Sequence, residues 1–254
     1  MLAWVPAFAG KTLELGTMTE TVAAFRRVLS RGSSFPSLVE TDTGRLVVLK
    51  LSGAGQGSRG LATELIAGTI ARLAGLNVPR AVPLLLPAGL PWQIGTDEFY
   101  EAVQRSVGWN LGIEFIPDAT DLEAGDLASL PADFLERLAA VDALLQNVDR
   151  TRANPNILCD SAGNPRAIDF GACLLIERLA RGALTPRLDL PANHILADRG
   201  PPAIALRRLV AGIDENRLHD VFGDVPDPWL AELGLTRQDL LDRTKVYFAG
   251  VLQT

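Results

Sequence analysis

The sequence predicts an α+β chain, rich in strands in its first part and mainly helical in its second. Three stretches carry that expectation. The first is FPSLVETDTGRLVVLKLSG, short apolar runs on either side of a turn at residues 41–44, which reads as an antiparallel hairpin ending at Lys50. The second is the set of helical patterns after Gly171, namely PAIALRRLVAGI, DPWLAELG and TRQDLLDRTKVYFAGVLQ, punctuated by Gly and Pro. Between them lies NVDRTRANPNILCDSAGNPRAIDFG, residues 147–171, where Asp149, Asn154, Asn156 and an Asp-Phe-Gly triplet surround a second predicted hairpin.

With 254 residues, 48% of them hydrophobic and 21% charged, the chain is long enough for a sizeable core, as one domain of two lobes or as two small domains. A formal net charge of -6 argues against a general polyanion binder, so nucleic acid is not expected as the primary partner. Cys159 and Cys173 are too few for a disulfide framework and match no zinc spacing, which favours buried free thiols over a redox pair and a reducing, cytoplasmic location. No apolar run reaches the length of a membrane span. Residues 1–17 lack the basic start, long apolar run and cleavage pattern of a signal peptide, and are expected to be an extension before a functional start at Met18.

In chain order, TETVAAFRRVLS follows Met18 with a helical pattern and Thr19 as a cap. The hairpin to Lys50 comes next, and then SGAGQGSRG, which reads as a flexible connection. LATELIAGTIARLAGL sets Leu61, Leu65, Ile66, Thr69, Ile70 and Leu73 at a helical period, closed by Gly75. NVPRAVPLLL returns as a strand whose Pro79 and Pro83 favour a sheet edge. The pattern then weakens, and TDEFYEAVQRSVG is a helix or an insertion packed on the first lobe. LGIEFIP is a short strand that Pro117 ends at the junction of the lobes, giving units 18–116 and 117–254. LPADFLERLAAVDALLQNV is strongly periodic, with Pro131 suited to its first turn, and it delivers the chain to Asp149.

Phosphoryl transfer needs positioning and charge neutralisation more than covalent chemistry, so its signature is a set of separated groups that converge. Asp149, in the loop after a long apolar helix, is a candidate base for an acceptor hydroxyl; alone it would read as a turn cap. Asn154, five residues on, can offer an amide oxygen to the same cleft, and magnesium favours such hard donors. Asn156 is either a second ligand or a loop-bracing amide, with Asn154 preferred for the metal. Asp169 ends a buried strand, where a carboxylate is costly unless paired or metal-bound. Upstream, Lys50 ends an apolar strand near the expected nucleotide phosphates, and Glu64 on the following helix is its expected orienting partner. Two glycine-bearing segments compete for the phosphate cradle. Gly32, Ser33 and Ser34, before the hairpin, are preferred, and SGAGQGSRG is taken as a mobile connector with Arg59 near the cleft. Neither is a Walker sequence, which argues against a P-loop NTPase.

With Lys50, Glu64, the NVDRTRANPN loop and AIDFGACL in place, the chain resembles the HipA-like kinases, especially their short stand-alone bacterial relatives. The likeness extends to GSSFPSLVETDTGRLVVLK, TELIAGTIARLAGLNVP and GIEFIP. It implies a bilobal protein-kinase-like fold, with a strand-rich N-lobe and a mainly helical C-lobe, that uses ATP and Mg2+ to phosphorylate serine or threonine in proteins. By the resemblance, Lys50 binds the α and β phosphates, Glu64 holds Lys50, and Glu114, Phe115 and Ile116 meet adenine largely through the backbone. Asp149 is then the catalytic base, and Asn154 and Asp169 bind magnesium. Ser33 and Ser34 become candidates for an autophosphorylated, self-inactivating switch. Thr151 is a departure, because several relatives carry a histidine two positions after the aspartate. The chain is also shorter than the full HipA toxins, so neither toxicity nor an antitoxin is carried over, and a regulatory partner protein stays open. His194 and His219 are assigned core or surface roles. Two other readings stand beside this one, a small-molecule kinase of related fold and a nucleotide-binding pseudokinase. Retention of Lys50, Asp149, Asn154 and Asp169 weighs against the second.

Overall fold

A computed structural model describes residues 19–29, 35–91, 95–199, 203–213 and 215–254. The first part of the chain is built on a five-stranded antiparallel sheet. Strands β1 (Val22–Val28), β2 (Ser37–Thr41) and β3 (Leu46–Lys50) form a meander, continued by β5 (Gly108–Glu114) and then β4 (Ala81–Leu86) at the far edge. The β2–β3 hairpin turns where the sequence places it, with Gly44 at φ +78°. β4 takes the edge position that Pro79 and Pro83 favour. Just before β1 the chain also reaches β4: Leu85 donates its N–H to Glu20 O at 3.0 Å, and Thr21 forms a parallel bridge with Leu85. The two edges of the sheet therefore meet at one end.

The segment TETVAAFRRVLS is a strand over Val22–Val28, not the helix its pattern suggests. Two register irregularities against β2, at Val22/Ala24 and at Phe25/Arg27, insert extra residues into the pairing. Such bulges break the two-residue alternation and leave Val22, Phe25 and Val28 three apart, a spacing that imitates a helix.

Pleating decides which way Lys50 faces. Val47 and Leu49 are fully buried on one side of β3, in a core shared with Val39, Leu84 and Leu86. Phe99, Ala102 and Val103 of α2 (Asp97–Arg105) pack onto that core, so TDEFYEAVQRSVG is a helix of the first lobe. Val48 and Lys50 point to the other side, toward α1 (Gly57–Leu73). The helix begins inside the glycine-rich stretch, so SGAGQGSRG is not a free connector. Residues 52–56 turn, and Gly57 to Gly60 form the first turn of α1. Gly75, at φ +78°, follows its end as expected.

α1 is buried on nearly every side, and its apolar residues belong to the large core of the helical part. Its first long helix is α3 (Ala132–Leu145), which ends at Gln146 in a left-handed conformation, φ +55°. A small sheet has one strand before α3 and two after it, in the order β6 (Thr120–Asp121), β7 (Ile157–Cys159), β8 (Pro165–Ala167). The remaining helices are α4 (Leu175–Ala180), α5 (Ala203–Ala211), α6 (Glu215–Gly223), α7 (Asp227–Leu233) and α8 (Arg237–Gln253). α4 and α6 have no counterpart in the sequence reading. α1 packs against α6 and α7. Among the described residues no helix is long and apolar enough to cross a membrane.

Candidate active site

Strand β3 and helix α1 bring Lys50 and Glu64 face to face. Lys50 Nζ donates to both Glu64 carboxylate oxygens at 2.6 Å and to Asp169 Oδ1 at 3.1 Å. One ammonium thus serves two carboxylates. Burial works against the charge on Lys50, but Glu64 and Asp169 outweigh it and raise its pKa. At Glu64, burial and the nearby Asp169 outweigh Lys50 and push the carboxyl above its ordinary value. Judged from Lys50 the pair is favourable, and judged from Glu64 it is not. Geometry reconciles the two: the surplus negative charge falls on Glu64, which is fully enclosed, while Asp169 is partly exposed.

Asp149 leaves the end of α3 through Asn147 and Val148. Its backbone N–H donates to Asn147 Oδ1 at 3.1 Å. Its Oδ2 accepts from Asn154 Nδ2 at 2.7 Å and from Asn156 Nδ2 at 3.2 Å. Asn156 therefore acts as a loop-bracing amide in this conformation, one of the two readings its sequence position allows. Asn156 and Asp169 both hold positive φ, +50° and +57°, and Ile168 donates its N–H to Asn156 O at 2.9 Å. The loop of Asp149 and the strand end carrying Asp169 are in this way tied by the backbone.

A cavity of about 240 Å3 lies where these groups converge, lined by Lys50, Glu64, Asp149, Asp169, Gly171 and the turn from Ala54 to Gly57. Asn154 does not line it and joins only through its bond to Asp149. A larger cavity, about 400 Å3, sits between α1, α3 and α5 and contains none of these residues. The glycine-rich turn expected to be a mobile connector forms one wall of the smaller cavity. It is braced from the end of α2 and from β5: Gly53 N–H donates to Ser106 Oγ at 2.8 Å, and Ser52 N–H to Asn110 Oδ1 at 2.8 Å. Gly32, Ser33 and Ser34 lie outside the described residues.

Glu114 ends β5, and its N–H is taken by Arg80 O at 2.8 Å while its side chain accepts from Arg80 N–H at 3.0 Å. Phe115 and Ile116 follow directly. Cys159 and Cys173 are free, and burial drives the Cys173 thiol well above its ordinary pKa, which leaves it a poor nucleophile.

Asp142 and Arg150, which the sequence does not single out, form a fully buried cluster beneath the Asp149 loop with His194, whose core or surface role proves to be a core one. Arg150 Nε meets Asp142 Oδ2 at 2.6 Å, and His194 Nε2 meets the same oxygen at 3.1 Å. Asp142 and His194 stand 52 residues apart with no motif linking them. The one available signal was Arg150 itself, a cation next to Asp149 on a chain segment otherwise entering the core.

A sheet-based first lobe, a helical second lobe and a charged cleft between them define a kinase-like protein, and solved structures agree. The fold matches the crystal structure of the Helicobacter pylori proinflammatory kinase CtkA with a TM-score of 0.55 and 13% identity, over 92% of this chain and 95% of that one. It matches the golgi casein kinase with a TM-score of 0.51 and 12% identity, over 92% of this chain and 73% of that one. At such identities these likenesses speak for the fold. The family model of the HipA-like kinases matches residues 22–175, more than half of the sequence. The chain belongs to the HipA-like kinase family, whose chemistry is phosphoryl transfer. No curated protein matches it closely enough to count as a relative.

Proposed function

We propose that this protein is an ATP- and magnesium-dependent kinase that passes the γ-phosphate of ATP to a serine or threonine hydroxyl of a protein. The observation that carries the reading is the convergence of Lys50, Glu64, Asp149 and Asp169 on one cavity. Lys50 and Asp169 arrive there from positions 119 residues apart.

The expected donors suit a hard divalent cation: Asp169 lines the cavity with its carboxylate, and Asn154, held beside it through Asp149 at 2.7 Å, would add an amide oxygen. Gly171 keeps the space beside Asp169 clear, since a Cβ there would stand 3.7 Å from Asp169 Oδ1 and 3.6 Å from Glu64 Oε2. Magnesium bound by these groups would neutralise phosphate charge as it builds. Lys50, steered by Glu64, is set to meet phosphate oxygens. The turn at 54–57 and the first amides of α1 are phosphate contacts in addition to the expected Gly32, Ser33 and Ser34. Phe115 and Ile116 are the positions to meet adenine through the backbone, with Glu114 fixing the strand end in front of them. Asp149, its carboxylate oriented by Asn154 and Asn156, is set to take the proton of the acceptor hydroxyl.

The test is transfer of phosphate from ATP, with magnesium, to the protein itself, to a protein acceptor and to water. Asp149→Ala is expected to lower transfer by about 10²-fold or more while nucleotide binding persists. Asp169→Ala is expected to weaken the magnesium-dependent part of that binding. An Asp149→Ala protein as active as the wild type would remove the assignment.

A further inference from the structure

The Asp149 loop is held from below by groups that never reach the cavity. Arg150 points away from the cleft and is wholly buried. Besides Asp142, its guanidinium donates to Asn156 O at 2.6 Å, to Pro155 O at 3.1 Å and to Ile168 O at 3.4 Å, and it lies 5.1 Å from the centre of the Phe170 ring. One side chain thus grips the Asp149 loop and the strand that leads to Asp169. Asp142 fixes that grip, and its other oxygen accepts from Asn147 Nδ2 at 3.1 Å.

His194 completes the cluster from a distant part of the chain. Leu196 N–H donates to His194 Nδ1 at 3.1 Å, so the Nε2–H is the one that faces Asp142. The same segment is stitched to the loop by its backbone, through Ile195 N–H to Arg150 O at 3.0 Å and a bridge between Thr151 and His194. Both ring nitrogens are engaged, so His194 does not replace the histidine that Thr151 displaces.

We propose that His194 is a positioning residue for phosphoryl transfer, acting through Asp142 and Arg150 to hold the Asp149 loop against the strand end of Asp169. This rests on the kinase reading above. An Asp142 carboxylate without the His194 N–H has one fewer buried donor, and Arg150 is freer to shift, with Asn156 O and Ile168 O moving with it. The effect then falls on the rate of transfer and spares the nucleotide, whose expected contacts come from Lys50, the turn at 54–57 and the backbone of Phe115 and Ile116.

Two substitutions separate positioning from folding. His194→Gln keeps an N–H where Nε2 stood, and His194→Asn keeps only an acceptor for Leu196 N–H. For His194→Asn we expect kcat to drop about 10²-fold with ATP affinity within about threefold of wild type, while His194→Gln restores most of the rate. Amide hydrogen exchange should quicken in His194→Asn at Thr151, Asn154 and Ile195 but not in α8, and should return toward wild type in His194→Gln. Equal behaviour of the two variants, or quickened exchange across α8 as well, would overturn the proposal. If the wild type transfers no phosphate from ATP, the kinase reading falls instead. The exchange experiment then decides alone whether His194 fixes the loop, and an undisturbed loop in His194→Asn rejects it.

Discussion

Lys50 stands between Glu64 and Asp169 with one positive charge for two negative ones, so the cluster is poised to accept a further cation. Removing the surplus charge relieves that imbalance. Burial has already raised the Glu64 carboxyl above its ordinary value, and an acid raised in the folded state opposes folding as pH climbs past its unfolded value. Glu64→Gln is therefore expected to keep or raise Tm at neutral pH, while the loss of a fixed partner for Lys50 lowers kcat/KM on the order of 10- to 100-fold. A thermal melt beside a transfer assay checks both halves. Asp142 has the opposite sign. Burial pushes its carboxyl up, but Arg150 and His194 outweigh it and hold the pKa below the ordinary carboxylate range; Cys173 is the other titratable group beside it. Its contribution is complete above the unfolded value of about 3.9 and is lost as pH falls through the lower folded one. Asp142→Asn should cost about 3–5 kcal/mol near neutrality, since it leaves Arg150 buried without its counterion. In urea melts the gap to wild type should narrow below about pH 4, and a gap that stays constant into acid would contradict this account.

At the level of elements, α2 earns its place by what it braces. Ser106, at the end of α2, and Asn110, in β5, hold Ser52 and Gly53 in the turn that walls the cavity. A Cβ on Gly53 would come within 2.7 Å of Ala102 O, a backbone atom that cannot yield without moving α2. Gly53→Ala is expected to cost about 1–3 kcal/mol and to weaken nucleotide binding with it, measurable by chemical denaturation and a binding titration. The periodic elements were legible in the sequence: the β2–β3 hairpin, α3, α8 and most of α1. Those that failed did so for physical reasons. The bulges of β1 gave it a helical spacing, and four glycines between Gly53 and Gly60 concealed a helix start that tertiary contacts impose. Lys50, Glu64, Asp149 and Asp169, which converge on the cavity, stand in or beside short local motifs, whereas Asn154, from the same loop as Asp149, does not line it. The cluster of Asp142, Arg150 and His194 has no such motif, and its members meet only after the chain has folded.

At the scale of the molecule, the described residues form two apolar cores, one between the sheet and α2, the other running through α1, the side of β4 and β5 that packs on it, and the helices that follow. α1 follows the strands in sequence but shares the second core, so Lys50 and Glu64 belong to different packing units. The ions at the cleft cross between these two cores, alongside the apolar contact that β4 and β5 make with α1. A nucleotide with magnesium, bound at that seam, should stabilise both at once. At about 100 times its dissociation constant the gain is about 2.7 kcal/mol, seen as a rise in Tm. Lys50→Met should abolish the rise, and an undiminished rise in that variant would place the nucleotide elsewhere.

Glu20 and Thr21 join the two outer strands of the sheet. The amides of Leu85 and Asp42 are both spent on their carbonyl oxygens, at 3.0 and 2.9 Å. Glu20 also accepts from Thr41 and Arg45, at 3.0 and 2.9 Å. A sheet fastened at this corner offers less open backbone there to a foreign strand. A shortened chain that begins at Val22 would lose the fastening, and its exposed edges would make it prone to aggregate before any residue of the cleft had been changed.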